Sequence, residues 1–262
     1  MVTTGSQYQL KMKMVNNKIG LNVFETTDLM SEAIAEFMVK LAAGSIAARG
    51  KFVIALSGGH TPDKLFSLLS SALFKDRIEW EKTFVFWGDE RCVRINDERN
   101  NAHQAKLLLL DKIEIPLNNI YPIPVDSPPA EAAKKYEEIL KDFFAQSPAS
   151  FDLILLGLGE NGHTASLFPG TTVLNETKRW VKEVYVDEQK EWRVTMTAPL
   201  INQAHNVVFL VSGKEKAEIL HAILDDPFEP GLYPAQLVKP ASGNLYWFAD
   251  EAAVYRSDIS NP

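Results

Sequence analysis

The run Gly157-Leu158-Gly159-Glu160-Asn161-Gly162-His163-Thr164-Ala165-Ser166-Leu167-Phe168-Pro169-Gly170 follows an apolar stretch over 151–156 directly, so a buried strand is expected to end in a glycine-rich turn that displays one histidine. Closely spaced glycines allow positive φ and let the backbone approach a ligand. An imidazole titrates near neutrality and can take a proton from water. His163 is therefore the candidate general base.

A second turn, Ser57-Gly58-Gly59-His60-Thr61-Pro62, joins an expected strand over 52–56 to a helix for which Thr61 would be the N-cap and Pro62 the first residue. Free amides and the positive helix end would meet there, and paired glycines would let a phosphate reach them. The turn lacks the lysine and spacing of a Walker loop and the GxGxxG of a dinucleotide site, so an ordinary strand-to-helix connection is the competing reading. A third constellation, Trp87-Gly88-Asp89-Glu90-Arg91-Cys92-Val93-Arg94, ends another expected strand. Arg91 could offer an anion several donors in a fork that lysine cannot copy; a solvated charged turn is the alternative. Arg193 and Lys216 are further cations near expected strand ends, each able to hold a phosphate oxygen or simply to face solvent.

Other chemistries find little support. Cys92 has no evident base to activate it and is expected to pack as a small apolar residue. His60, His103, His205 and His221 fit no zinc-ligand spacing, and no Gly-x-Ser-x-Gly elbow is present, so neither a metal nor a covalent acyl-enzyme is indicated. Water attacking under base catalysis is the simpler route.

These residues need a scaffold, and the composition supplies one: 262 residues, 46% hydrophobic and 23% charged, suit a globular chain with a sizeable core. The net charge of −7 with interspersed signs argues against nucleic-acid or membrane-surface partners. A single cysteine, no signal-peptide pattern and no apolar run near the length of a bilayer span point to the cytoplasm. Short apolar runs over 52–56, 83–87, 151–156, 207–211 and 245–248 alternate with helical patterns over 28–49, 62–71, 100–110, 130–144 and 214–224, the signature of a parallel α/β sheet whose strand carboxyl ends gather the ligand. The first helix is expected to be capped by Thr27 or Asp28 and stopped by Gly50. Residues 8–14 alternate polar and apolar, which admits an edge strand; a loosely held N-terminal extension over 1–14, ahead of a single domain over 15–262, is the expected reading.

Taken in order, Ser57 through Pro62, Asp89-Glu90-Arg91-Cys92-Val93, Gly157 through Gly170, Arg193 with Thr195-Met196-Thr197-Ala198-Pro199, Ser212-Gly213-Lys214-Glu215-Lys216-Ala217 and Pro234-Ala235-Gln236-Leu237-Val238 resemble the glucosamine-6-phosphate isomerase/6-phosphogluconolactonase family. The resemblance covers most of the chain. It implies an α/β fold, a modified Rossmann-like three-layer sandwich with a mostly parallel central sheet, and a cofactor- and metal-independent hydrolase that opens 6-phosphoglucono-δ-lactone to 6-phosphogluconate in the oxidative pentose phosphate pathway. The implied site has His163 as catalytic base, Ser57, Gly58, Gly59, Thr61, Arg91, Arg193 and Lys216 on the substrate and its phosphate, and Asp89 and Asn161 in support. The implied partner is the small sugar-phosphate lactone, bound by a monomer or weak oligomer. The family's deaminases typically continue from Gly-His into Ile-Ala-Phe-Asn-Glu-Pro-Gly and have Asp-Glu-Tyr where this chain has Asp89-Glu90-Arg91, which favours the lactonase branch. A glucosamine-6-phosphate deaminase/isomerase using Asp89, or a non-catalytic sugar-phosphate sensor, are the alternatives. Two positions depart from the lactonase pattern: Asn161 replaces the commoner aspartate, and Lys239 the commoner arginine.

Overall fold

The computed structural model describes residues 11–15, 19–145 and 150–254. The chain runs β1 (Lys11–Val15), β2 (Ile19–Phe24), α1 (Thr27–Arg49), β3 (Phe52–Leu56), α2 (His60–Leu69), β4 (Thr83–Trp87), β5 (Asp89–Arg91), α3 (Asn101–Leu108), α4 (Pro129–Phe144), β6 (Leu153–Gly157), β7 (Val181–Val186), β8 (Glu191–Met196), α5 (Ala198–Ile201), β9 (Asn206–Val211), α6 (Ala217–Asp225), β10 (Asn244–Asp250) and α7 (Glu251–Val254). Seven strands form the main sheet in the order β1-β2-β10-β9-β6-β3-β4, with helices on both sides. All pairings in it are parallel except that of β1 with β2.

Every residue of β3 and β9 is buried, which is why these strands are continuously apolar in sequence: a central parallel strand is covered on both faces and has no solvent side to alternate toward. Trp247 of β10 stacks on Phe209 of β9 with centroids 3.9 Å apart. The parallel α/β expectation thus holds, and the apolar runs over 52–56 and 83–87 coincide with β3 and β4.

The helix ends differ from expectation by small but instructive shifts. α1 is capped by Thr26, whose side chain accepts the Leu29 N–H at 3.2 Å. Thr27 instead donates to Asp250 at 2.8 Å, tying α1 to the end of β10. Gly50 stops the helix as expected, at φ 75° with its N–H on the Ile46 carbonyl. α2 starts at His60, with Gly59 at the cap position and no side-chain cap. Thr61 is therefore not an N-cap; its hydroxyl lies 2.7 Å from that of Ser212. Lys11–Val15 pair antiparallel with β2, so the edge-strand reading, and not the loose extension, describes them. Residues 1–10 of that extension lie outside the described residues.

Two features position the site. The chain leaves β3 toward β4 on one side, and leaves β6 toward β9 on the other, although β3 and β6 are neighbours. That reversal opens a crevice beyond their carboxyl ends. A second, three-stranded antiparallel sheet, β5-β8-β7, not anticipated from the sequence, is entered from β4 through Gly88. Its register sets Asp89 opposite Thr195 and Arg91 opposite Arg193.

Candidate active site

A cavity of about 230 Å³ occupies the crevice, and Ser57, Gly58, Gly59, Asp89, Arg91, His163, Arg193 and Lys216 all line it. Residues more than a hundred positions apart in the chain converge because β3, β5, β6, β8 and β9 all end or pair at this edge. Thr61 is not on the wall, and Asn161 stands behind the histidine. A larger cavity, about 460 Å³, opens at the opposite ends of β3 and β6 around Val53 and Asp152. It holds none of these residues, and the Asp152 carboxylate is taken up by the Val53 N–H and by Arg49.

The turn after β6 is shaped around the imidazole of His163. Gly162 adopts φ 78°, and its N–H closes onto the Gly159 carbonyl at 3.0 Å. A Cβ on Gly159 would lie 2.0 Å from ring atoms Cε1 and Nδ1, so only glycine leaves the ring room there. The other ring face stacks on Phe168 at 4.0 Å between centroids. Asn161 Oδ1 accepts the backbone N–H of His163 at 3.2 Å and lies 2.6 Å from Nδ1. An oxygen that accepts the amide proton is the carbonyl end of the Asn side chain, so Nδ1 is the donor and carries the ring proton. Nε2 is left with a lone pair. Burial pushes the imidazole down to about 4, with Arg193, Lys216 and Arg91 acting the same way and Asp89 opposing them. At neutral pH the ring is uncharged and its Nε2 is available as a base.

The cations come as an opposed pair. Directly opposite residues on antiparallel strands share a face, so β5 and β8 place Arg91 and Arg193 side by side on one face. Like charges so placed are destabilising on their own, an arrangement that makes sense around an anion. Arg193 is buried between Asp89 Oδ2 at 3.8 Å and Glu191 Oε2 at 3.4 Å, also donates to Gln189, and keeps Nε without a partner. Ser166 donates to the same Asp89 oxygen at 2.7 Å. Lys216 completes the positive wall, 3.7 Å from Glu160. Glu160 therefore faces the lysine and does not replace the missing aspartate beside His163. At the turn after β3 the Gly58 and Gly59 N–H groups have no acceptor among the described residues, and α2 contributes its positive end.

Cys92 and Lys239 stand apart from the site, whereas Asn101 joins it. Cys92 is half-buried, and burial pushes its thiol up to about 11, which makes it no nucleophile at neutral pH. Lys239 rests its ammonium on the Phe228 ring at 3.8 Å and is not on the cavity wall. Asn101, which the sequence offered only as part of a helix start, does line the cavity. No three of His, Cys, Asp and Glu cluster as metal ligands among the described residues, and no helix there is long and apolar enough to cross a membrane.

The family model of glucosamine-6-phosphate isomerases/6-phosphogluconolactonase matches residues 25–247. The chain is 44% identical over 213 residues to 6-phosphogluconolactonase of Synechocystis sp., an alignment covering 80% of this chain and 86% of the relative. It is 36% identical over 233 residues to 6-phosphogluconolactonase of Nostoc sp., covering 87% and 94%. The solved structure of 6-phosphogluconolactonase from Trypanosoma cruzi superposes with a TM-score of 0.80 at 26% identity, covering 96% of this chain and all of that one.

Proposed function

The chain belongs to the family of glucosamine-6-phosphate isomerases and 6-phosphogluconolactonases, and on that premise we propose that it hydrolyses 6-phosphoglucono-δ-lactone to 6-phosphogluconate as a single lactonase domain to which β1 belongs. One observation carries the reading: an uncharged imidazole with a free Nε2 shares a cavity with two opposed guanidiniums, a lysine and a helix N-terminus. This is a base and an anion cradle within the span of one sugar phosphate.

The substrate phosphate is held by the Ser57–Gly59 turn at the start of α2 with Arg91, Arg193 and Lys216. Binding so far from the reacting carbon fixes the lactone carbonyl near His163. Water attacks C1 while Nε2 takes its proton, forming a tetrahedral oxyanion. Donors at the cavity wall that the phosphate does not occupy stabilise that charge. Collapse breaks the bond from C1 to the ring oxygen, and the imidazolium returns the proton to that oxygen. The acid product then ionises to the carboxylate. No redox step or transferred group is involved, so the chemistry calls for no cofactor. A lone cysteine suits a reducing compartment, and we place this step of the oxidative pentose phosphate pathway in the cytoplasm.

The test is the appearance of 6-phosphogluconate from freshly generated lactone, corrected for spontaneous opening, beside a glucosamine 6-phosphate control. Acceleration of lactone opening without ammonia release is the expected result. Ammonia from the amino sugar would mark a deaminase, and binding without acceleration a sensor.

The neutral amide beside His163 has a consequence for pH. Because the ring titrates at about 4, its basic form persists above that value, and activity is lost only as the pH falls through it. In Asn161→Asp a carboxylate would stabilise the imidazolium and raise its pKa toward the ordinary histidine range. The acid limb of the kcat/KM profile is therefore expected to move to higher pH in that variant. An unmoved or lowered limb would separate the profile from His163.

A further inference from the structure

Asn101 ties together the parts of the anion cradle. It is buried at the start of α3, 3% exposed. Its amide Nδ2 donates to the Asp89 carbonyl at 3.0 Å, and its Oδ1 accepts from Arg91 Nη1 at 2.8 Å. Arg91 can only donate and a carbonyl can only accept, so the side-chain orientation is fixed by its partners. The backbone is fixed as well: Glu90 accepts the N–H groups of Asn101 and Ala102 at 2.8 and 2.9 Å, holding the first turn of α3 against β5. On its other side Asn101 presses on the turn after β3, since a Cβ on Gly58 would lie 1.8 Å from Oδ1.

The effect on Arg91 is directional. Nη1 is committed to Asn101 and to the Arg99 carbonyl at 2.6 Å. Nε is buried without a partner, and Nη2, on the same edge of the guanidinium, makes no hydrogen bond among the described residues. With Nε buried, Nη2 is the free donor that can meet a phosphate oxygen. It belongs to a residue on the cavity wall, next to the unpaired Gly58 and Gly59 amides.

We propose that Asn101 is a positioning residue which, by holding Nη1 of Arg91 against the Gly58 turn, presents Nη2 to the phosphate of the substrate. The inference rests on the lactonase reading above. Asn101→Ala is expected to raise KM for 6-phosphoglucono-δ-lactone about tenfold with kcat held within about twofold, because one hydrogen bond to a charged group is lost and the base is untouched. Calorimetric affinity for 6-phosphogluconate should weaken by the same factor. Asn101→Ser, whose short side chain cannot span both partners, should behave alike and serves if the alanine variant folds poorly. In an Arg91→Lys background, which has no guanidinium to aim, Asn101→Ala should add less than about a twofold further rise, since residues acting through one contact are not additive. Wild-type KM and product affinity in both variants, a fall in kcat at constant KM, or a full additional loss on top of Arg91→Lys would each overturn the proposal. If the wild-type protein neither opens the lactone nor binds 6-phosphogluconate, the lactonase reading itself fails.

Discussion

His163→Ala is expected to lower kcat for 6-phosphoglucono-δ-lactone by about 10²–10⁴-fold, the contribution of a positioned general base, while 6-phosphogluconate still binds with nearly wild-type affinity. The separation follows from the geometry. The imidazole stacks on Phe168 and is tethered by Asn161, whereas the cations Arg91, Arg193 and Lys216 come from other segments of the wall. Removing the ring takes away the proton acceptor and leaves the phosphate contacts in place. Loss of affinity in proportion to rate would mean that His163 holds the substrate and does not deprotonate water. Parallel rate and titration measurements on one preparation decide between the two.

Gly159→Ala is expected to approach the same loss without touching a polar group. The added methyl would stand 2.0 Å from Cε1 and Nδ1 of His163, a separation that no adjustment of a flexible side chain end can absorb, because the ring is boxed between the turn and Phe168. The imidazole must swing away from Asn161 and lose its aim at the carbonyl carbon. A misplacement near 1 Å costs about a hundredfold in rate, so kcat should fall by at least that much. Gly159 does not sit at positive φ, so the substitution adds no left-handed backbone strain, and any loss of thermal stability reflects the displaced ring alone. Gly44→Ala, at a helix position with nothing within 4 Å of the new methyl, is the control and should leave activity intact. A Gly159→Ala enzyme of wild-type kcat would show that the ring position is not what the reaction requires.

How far these residues could be read from the sequence depended on what each one signals locally. β3 was legible because a central parallel strand is apolar without interruption, β4, at the sheet edge, because its residues are mostly aromatic and apolar, and the two glycine turns because they directly follow the apolar strands β3 and β6. β5 was not: its three residues, Asp89–Arg91, are all charged, and nothing in the local pattern distinguishes a charged turn from a short strand paired to β8. The opposition of Arg91 and Arg193 is a product of that pairing and was equally hidden. Thr61 misled because a threonine before a proline is a good N-cap on propensity alone, while the structure starts α2 two residues earlier, at His60, and spends the hydroxyl on Ser212. Asn101 had no signal beyond a helix start, since its partners, Gly58, Asp89 and Arg91, are assembled only by the fold. Asn161 was visible as a departure from the lactonase pattern, but its hydrogen bond to the ring, and the direction of Glu160 toward Lys216, required the coordinates.

Joint action of the imidazole and the anion cradle on one molecule is what the geometry of the site predicts. Its most direct test is kcat/KM for 6-phosphoglucono-δ-lactone against unphosphorylated glucono-δ-lactone, measured with the wild-type enzyme and with His163→Ala and corrected for spontaneous opening. We expect the wild type to prefer the phosphorylated lactone by at least about a hundredfold, because the distant phosphate contributes binding and orientation, and His163→Ala to slow both lactones by a similar factor with the preference retained. A wild-type enzyme indifferent to the phosphate, or a His163→Ala variant that opens the phosphorylated lactone at the wild-type rate, would contradict it.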